Sequence, residues 1–99
     1  MLESAYEVCL AHELAGRGHT LERQVELPVT YKSVKLDCGY RIDLVVDRSL
    51  IVELKTASSL LPIHEAQLLT YMKLSGITTG LLVNFHVPVL KQGIRRMKL

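Results

Sequence analysis

The segment Tyr-Arg-Ile-Asp-Leu-Val-Val-Asp-Arg-Ser-Leu-Ile-Val-Glu-Leu-Lys, from Tyr40 to Lys55, constrains the fold more than any other part of the chain. Two apolar, β-branched-rich runs, Ile42 to Val46 and Leu50 to Leu54, flank the polar trio Asp47-Arg48-Ser49. That pattern predicts a hairpin with a three-residue loop. Pairing Val46 with Leu50 sets Asp43 across from Glu53 and Arg41 across from Lys55. Strand alternation then places Asp43, Glu53 and Lys55 on one face, with Ile42, Leu44, Val52 and Leu54 sharing one apolar side and Val45 and Ile51 the other. Directly opposed Cβ atoms lie about 5 Å apart. Two ionised carboxylates at about that distance repel by roughly 3 kcal/mol at an effective dielectric of about 20. A sheet holds such a pair only with something cationic beside it, either a divalent metal or the Lys55 ammonium.

The two choices imply different chemistry. Asp43 and Glu53 are hard oxygen ligands on a rigid scaffold, suited to Mg²⁺ or Mn²⁺ and not to zinc. Lys55, two residues beyond Glu53, is then placed to orient or deprotonate a water beside the metal. The alternative is a salt-bridged cluster, Lys55 neutralising one carboxylate and Arg41 the other. Both readings stand at this point.

Around the hairpin, Leu2 to Ala15 reads as a helix, with Tyr6, Cys9, Leu10 and Leu14 at helical spacing and Gly16-Arg17-Gly18 ending it. Leu21 to Tyr31 reads as a strand in which Leu21, Arg23, Val25, Leu27 and Val29 alternate with Glu22, Gln24 and Glu26. Pro28 marks it as an edge strand or a bulged one. Lys32 to Leu36 is a brief extension of the same sheet, and Asp37-Cys38-Gly39 turns the chain. After the hairpin, Ser58 or Ser59, with Pro62, opens a second helix that runs to about Ser75 and stops at Gly76. Gly80 to Phe85 reads as a buried strand parallel to the one carrying Glu53, joined to it by a right-handed crossover. Leu90 to Leu99 is either a last edge strand or a loose basic end. The core order is α, three strands, α, strand.

Ninety-nine residues, 48% of them hydrophobic and 22% charged, suit one globular domain spanning residues 1–99. No apolar run is long enough to span a membrane. The N-terminal residues lack the basic-then-apolar pattern of a secretory signal, so a cytoplasmic location is expected. Cys9 and Cys38, without Cys-x-x-Cys spacing, are expected to be free and reduced. A net charge of +2 permits a nucleic-acid partner without arguing for one.

Gln67 and Tyr71, four apart on the second helix, share a face, with His64 one turn earlier. By themselves they read as polar residues bordering the core, but their helix follows directly from the strand bearing Glu53 and Lys55. Of Glu3, Glu7 and Glu13 on the first helix, Glu7 falls in line with Leu10 and Leu14 on the face that meets the sheet. A carboxylate there requires a partner or a metal. His12, His19, His86 and Asn84 suggest no chemistry.

Five blocks in order carry a resemblance. They are Leu2-Glu3-Ser4-Ala5-Tyr6-Glu7, Gly39-Tyr40-Arg41-Ile42-Asp43, Val52-Glu53-Leu54-Lys55, His64-Glu65-Ala66-Gln67-Leu68-Leu69-Thr70-Tyr71 and Leu82-Val83-Asn84-Phe85. Nearly the whole chain resembles the GxxExxY protein family of the PD-(D/E)XK nuclease superfamily. The resemblance implies a restriction-endonuclease-like αβββαβ core, a mixed sheet flanked by helices. It also implies a Mg²⁺-dependent phosphodiesterase site acting on DNA, with RNA left open. Asp43 and Glu53 would hold the metal with the backbone carbonyl of Leu54, and Lys55 would position the water or offset charge on the phosphate. Gln67 and Tyr71 match the Gln-x-x-x-Tyr motif of the RecB-like branch, which grips substrate. A first-helix glutamate completes such sites. Glu7 fits the register of resolvase-like relatives, while Glu3 is the glutamate of the name-giving motif.

Ile42 replaces the signature proline. The motif's glycine and the family's extra N-terminal helix would precede Met1, which reads either as a trimmed gene product or as a misassigned start. Apolar surface uncovered in this way is expected to seek a homodimer or another partner. Lys32, Lys35, Arg41, Arg95 and Arg96 are candidate backbone contacts by sign alone. The competing function, from a different class, is a non-catalytic module that binds nucleic acid or protein on the same fold.

Overall fold

The computed structural model describes residues 2–86 and 90–99. Its elements are α1 (Glu3–Gly16), β1 (Leu21–Glu26), β2 (Val29–Tyr31), β3 (Val34–Leu36), β4 (Arg41–Val46), β5 (Leu50–Lys55), α2 (Pro62–Ser75), β6 (Thr79–Asn84) and β7 (Ile94–Lys98). A 3₁₀ turn, Leu90–Gly93, precedes β7. The hairpin between β4 and β5 forms in the expected register, Val46 opposite Leu50 and Leu44 opposite Val52. Asp47 and Arg48 take positive φ in its loop, the conformation that lets a tight turn follow the twist of its strands.

One mixed sheet has the strand order β1-β4-β5-β6-β7. Its strands are antiparallel except for β5 and β6, which run parallel as the α2 crossover requires. α2 begins at Pro62, where the missing N–H is harmless, and closes on Gly76 in the left-handed region. The αβββαβ core is therefore present, a mixed α/β architecture compatible with a restriction-endonuclease-like fold. Of the two readings of the tail, the edge strand is the one that forms, with β7 pairing antiparallel with β6.

The expected strand Leu21 to Tyr31 divides in two. β1 stops at Glu26, and Pro28, which has no N–H to donate, stands in the break. Beyond it β2 pairs only with β3, forming a separate two-stranded ribbon in place of the short extension of the main sheet. The ribbon turns at Lys32 and Ser33, both at positive φ. β1 lies at the sheet edge.

Each face of the sheet packs against one helix. Ile42, Val45, Ile51 and Leu82 meet Leu68, Tyr71 and Met72 of α2. Leu44, Val46, Val52, Leu54 and Val83 meet Ala11, with Leu10 and Leu14 of α1 beside them. Tyr6 stacks on Phe85 with ring centroids 4.1 Å apart. Ile42 thus lies on the opposite face from Leu44, contrary to strict alternation. The reason lies in β1, where Arg23 pairs with Leu44 and Val25 with Ile42. Between them Gln24 has φ 51°. A left-handed residue inside a strand rotates the chain, and β4 turns over at Asp43 beside it.

Gly80 brings β6 close beneath α2. A Cβ there would meet Met72 Sδ at 2.9 Å and Leu68 Cδ1 at 3.0 Å. Gly80→Ala is expected to destabilise the fold by about 1–3 kcal/mol through overpacking. The check is a lower urea midpoint at unchanged slope, and an unaltered midpoint would show that this contact has room to spare.

Candidate active site

The reversal at Gln24 and Asp43 produces an opening in the sheet. The β4–β5 ladder runs from the loop to Leu44↔Val52. Beyond that pair the side chains supply the bonds. The Asp43 N–H donates to Glu53 Oε1 at 2.9 Å, and the Leu54 N–H donates to Asp43 Oδ2 at 2.8 Å. Each carboxylate thus takes up a backbone donor of the opposite strand, which brings the acid pair together at the end of a buried sheet. The expected cross-strand partner of Lys55, Arg41, lies elsewhere. It is exposed, and its guanidinium pairs with Glu26 at 2.9 Å.

Glu7 enters from α1, only 4% exposed. Its Oε2 accepts from Arg23 Nη2 at 2.7 Å and Nε at 3.1 Å. Its Oε1 accepts from Gln24 Nε2 at 2.6 Å, and the same amide lies 3.4 Å from Asp43 Oδ1. Gln24 therefore links the two acids from a strained backbone position of the kind that persists where surrounding structure enforces it. Glu3, Ser4, Glu7, Gln24, Asp43, Leu54 and Lys55 line a cleft of about 180 Å³. Glu3 is exposed at its rim.

Lys55 turns toward α2. Its Nζ donates to Gln67 Oε1 at 3.1 Å, and Gln67 Nε2 donates to Tyr71 Oη at 3.2 Å. These three side chains line a second cavity, of about 450 Å³, together with Tyr40, Ile63, His64, Ala66 and Thr70. Lys55 borders both spaces. His64 also has a local task, its Nδ1 accepting from the Leu61 N–H at 3.0 Å at the start of α2.

Among the described residues, neither Asp43 nor Glu53 is within 4.0 Å of a cationic nitrogen, so the salt-bridged cluster, with Lys55 and Arg41 each neutralising one acid, does not form. Burial pushes the Asp43 carboxyl up, opposed by the Leu54 N–H and reinforced by the charge of Glu7. Glu53, 3% exposed, is pushed from 4.5 to about 8, first by desolvation and then by Asp43. Tyr71 is raised by burial and by the charge of Glu53. With Asp43 and Glu53 both ionised, the site would hold more negative charge than its own cations offset, and the raised pKa values express that.

That donor set fits a hard divalent cation. Mg²⁺ is commonly held by one or two carboxylates while keeping several waters, and Asp43 and Glu53 supply two on rigid strands. Among the described residues no three His, Cys, Asp or Glu side chains converge into a ready ligand cluster. Glu7 already spends both its oxygens on Arg23 and Gln24.

The site contains residues that sequence reasoning passed over. Arg23 stands in the alternating row of Leu21, Val25 and Leu27, otherwise apolar. A guanidinium in such a row signals a buried acid, and Glu7 was in need of a partner. Gln24 gave no comparable signal. Asn84, a polar residue in an apolar run, is 1% exposed. Its Oδ1 accepts from the N–H groups of Ala57 and His86, and its Nδ2 donates to the Ala57 carbonyl. It therefore pins the segment after Lys55 to the end of β6.

Two measurements test this description. The folded pKa of Glu53 lies above its unfolded value, so the folded state holds the extra proton between about pH 4.5 and 8. Stability of the metal-free protein should fall as pH rises through that window and level off above it. Glu53→Gln should flatten the decline, and a wild-type melting temperature constant from pH 5 to 8 would contradict the buried acid. For Gln24, the glycine variant should be more stable than the alanine variant by up to about 1 kcal/mol, since only the latter keeps a Cβ at positive φ. Equal stabilities of the two would remove the case for strain.

A family model described as the PD-(D/E)XK nuclease superfamily matches residues 1–97. Comparison with curated proteins and with solved structures gives no match. The finer resemblance, to the GxxExxY family, is not among these findings. A match over almost the whole chain implies a nuclease or phosphodiesterase kind of activity: the chain belongs to the PD-(D/E)XK nuclease superfamily.

Proposed function

We propose that the protein is a divalent-metal-dependent nuclease that hydrolyses phosphodiester bonds in DNA, with RNA as the other substrate class the site chemistry admits. One observation carries this reading. Asp43, half-buried, and Glu53, buried, are brought together with no cationic nitrogen among the described residues against either, and both are shifted toward the protonated form. A purely structural cluster would have been expected to use Lys55 and Arg41 as counter-ions, and both point elsewhere.

Asp43 and Glu53, with the backbone carbonyl of Leu54, would hold Mg²⁺ or Mn²⁺. Bound there, such a cation supplies Lewis-acid stabilisation of the phosphate and lowers the pKa of its water. The chain's own residues do the remaining work. Lys55, oriented by Gln67, offers its ammonium to the attacking water or to a phosphate oxygen. Gln67 and Tyr71 form the polar wall of the adjoining cavity and contact the substrate there, with His64 beside them. Glu7, locked by Arg23 and Gln24, adds negative charge on the α1 side and so favours a cation in the cleft. Glu3 at the rim is the second candidate for that role. Arg41 reaches a substrate phosphate only after leaving Glu26. By analogy with the superfamily, the products carry a 5′-phosphate and a 3′-hydroxyl.

The test is a Mg²⁺ and Mn²⁺ titration followed by melting temperature, wild type beside Asp43→Asn, then cleavage of single-stranded, duplex and branched DNA. At a hundredfold excess over Kd, wild type should gain about 2.7 kcal/mol, roughly 13 °C for a chain of this size. Asp43→Asn keeps an acceptor for the Leu54 N–H, so it should fold, lose the metal response and cleave at least about 100-fold more slowly. DNA binding without any metal response or product would replace this reading with the non-catalytic module.

A further inference from the structure

The β2–β3 ribbon leaves the core beside the cleft. Its neck is closed by the Leu27 N–H donating to the Tyr40 carbonyl at 3.0 Å. Tyr40 then meets Tyr71 edge-on, with ring centroids 5.7 Å apart, and lines the cavity that Lys55 and Gln67 share. Asp43 follows three residues later, about 10 Å along an extended strand. The ribbon packs chiefly on itself, and no other described element makes more than a marginal contact with it.

Its composition is unusual for a segment so exposed. Val29 pairs with Leu36 and Tyr31 with Val34, so these four share one face. Tyr31 is 60% exposed, Val34 56% and Leu36 43%. From Val29 to Leu36 the only charged residues are Lys32 and Lys35, with no acid among them. Lys32 Nζ sits 5.5 Å from the centroid of the Tyr31 ring. A ring and an ammonium held together in this way meet two parts of a nucleotide at once, the base by stacking and the phosphate by charge. An apolar contact between copies of the chain would make no use of the ammonium held beside the Tyr31 ring.

We propose that the β2–β3 ribbon is a nucleic-acid-binding arm that takes an unpaired base on Tyr31 and a flanking phosphate on Lys32, feeding single-stranded DNA or RNA toward the cleft lined by Asp43. The arm rests on the nuclease reading for its role, but its binding can be measured separately. Unpaired bases are the ligand because a duplex keeps its base faces stacked, out of reach of an exposed ring.

The experiment is fluorescence anisotropy of a labelled single-stranded oligonucleotide with the full chain in EDTA, so that no cleavage intervenes. Tyr31→Ala and Tyr31→Leu should each weaken binding about tenfold, while Tyr31→Phe should keep it, because stacking needs a ring and not merely apolar area. Lys32→Ala should reduce the slope of log affinity against log salt by about 0.7. Circular dichroism melts confirm that each variant folds. Affinities equal to wild type in all variants would overturn the proposal, as would a wild type that binds no oligonucleotide. Conversion of a dimer to a monomer by Tyr31→Ala at unchanged affinity would also overturn it, by making the ribbon a contact between copies. Metal-dependent cleavage tests the parent reading independently. A protein that cleaves with indifferent ribbon variants sinks the arm alone, and one that binds through Tyr31 without cleaving sinks the nuclease alone.

Discussion

The structure depends on a sheet that gives up its ladder to hold two acids. Where β4 and β5 would continue to pair, Asp43 and Glu53 each accept a hydrogen bond from the other strand's backbone. This keeps the N–H groups of Asp43 and Leu54 satisfied, since an unpaired buried backbone donor costs about as much as a lost hydrogen bond. It also leaves two carboxylates in a place where desolvation opposes their charge. The exchange satisfies donors and creates an electrostatic debt in the same few atoms. A proton or a cation must settle it.

Neighbouring elements serve this arrangement in different ways. On the α1 side, Arg23 and Gln24 hold Glu7 against the sheet, and Gln24 does so from a conformation that few non-glycine residues adopt. On the α2 side, Gln67 draws Lys55 away from the carboxylates and toward the second cavity. An ammonium placed directly between the acids would have neutralised them and filled the cleft. Tethered to an amide, it stays close enough to lower both acids' pKa values through space while leaving their oxygens uncapped. Asn84 keeps the chain after Lys55 fastened to β6, so the whole edge is set by packed elements and not by a free loop.

Much of this was legible in the sequence because it rests on period and punctuation. The register of the β4–β5 hairpin followed from apolar runs of equal length about a polar trio. The limits of α2 followed from Pro62 and Gly76, and the parallel β6 from the length of the crossover. Other features depend on backbone torsion, which alternation cannot report. The reversal at Gln24 moves Ile42 to the α2 face and opens the acid pair, and no residue type in β1 announces it. Pro28 announced a break, but whether the chain rejoined the sheet or paired with itself was decided by the turn at Lys32-Ser33. The destinations of Arg41 and Lys55 likewise depended on Glu26 and Gln67, residues distant in sequence that only the folded chain brings near.

The same torsion argument explains why the acids meet at this end of the sheet and not in its middle. Near the loop, Val45, Val46 and Ile51 are buried among apolar side chains in regular pairing, so a carboxylate there would meet no polar partner. At Asp43 the turnover of β1 and β4 brings Gln24 toward α1 and leaves Asp43 lining the cleft while Glu53 stays buried beside it. Charge becomes tolerable only where regular pairing has already failed. The irregular residue is therefore part of the site in a physical sense: Gln24, at positive φ within β1, turns toward α1, and its amide links Asp43 to Glu7.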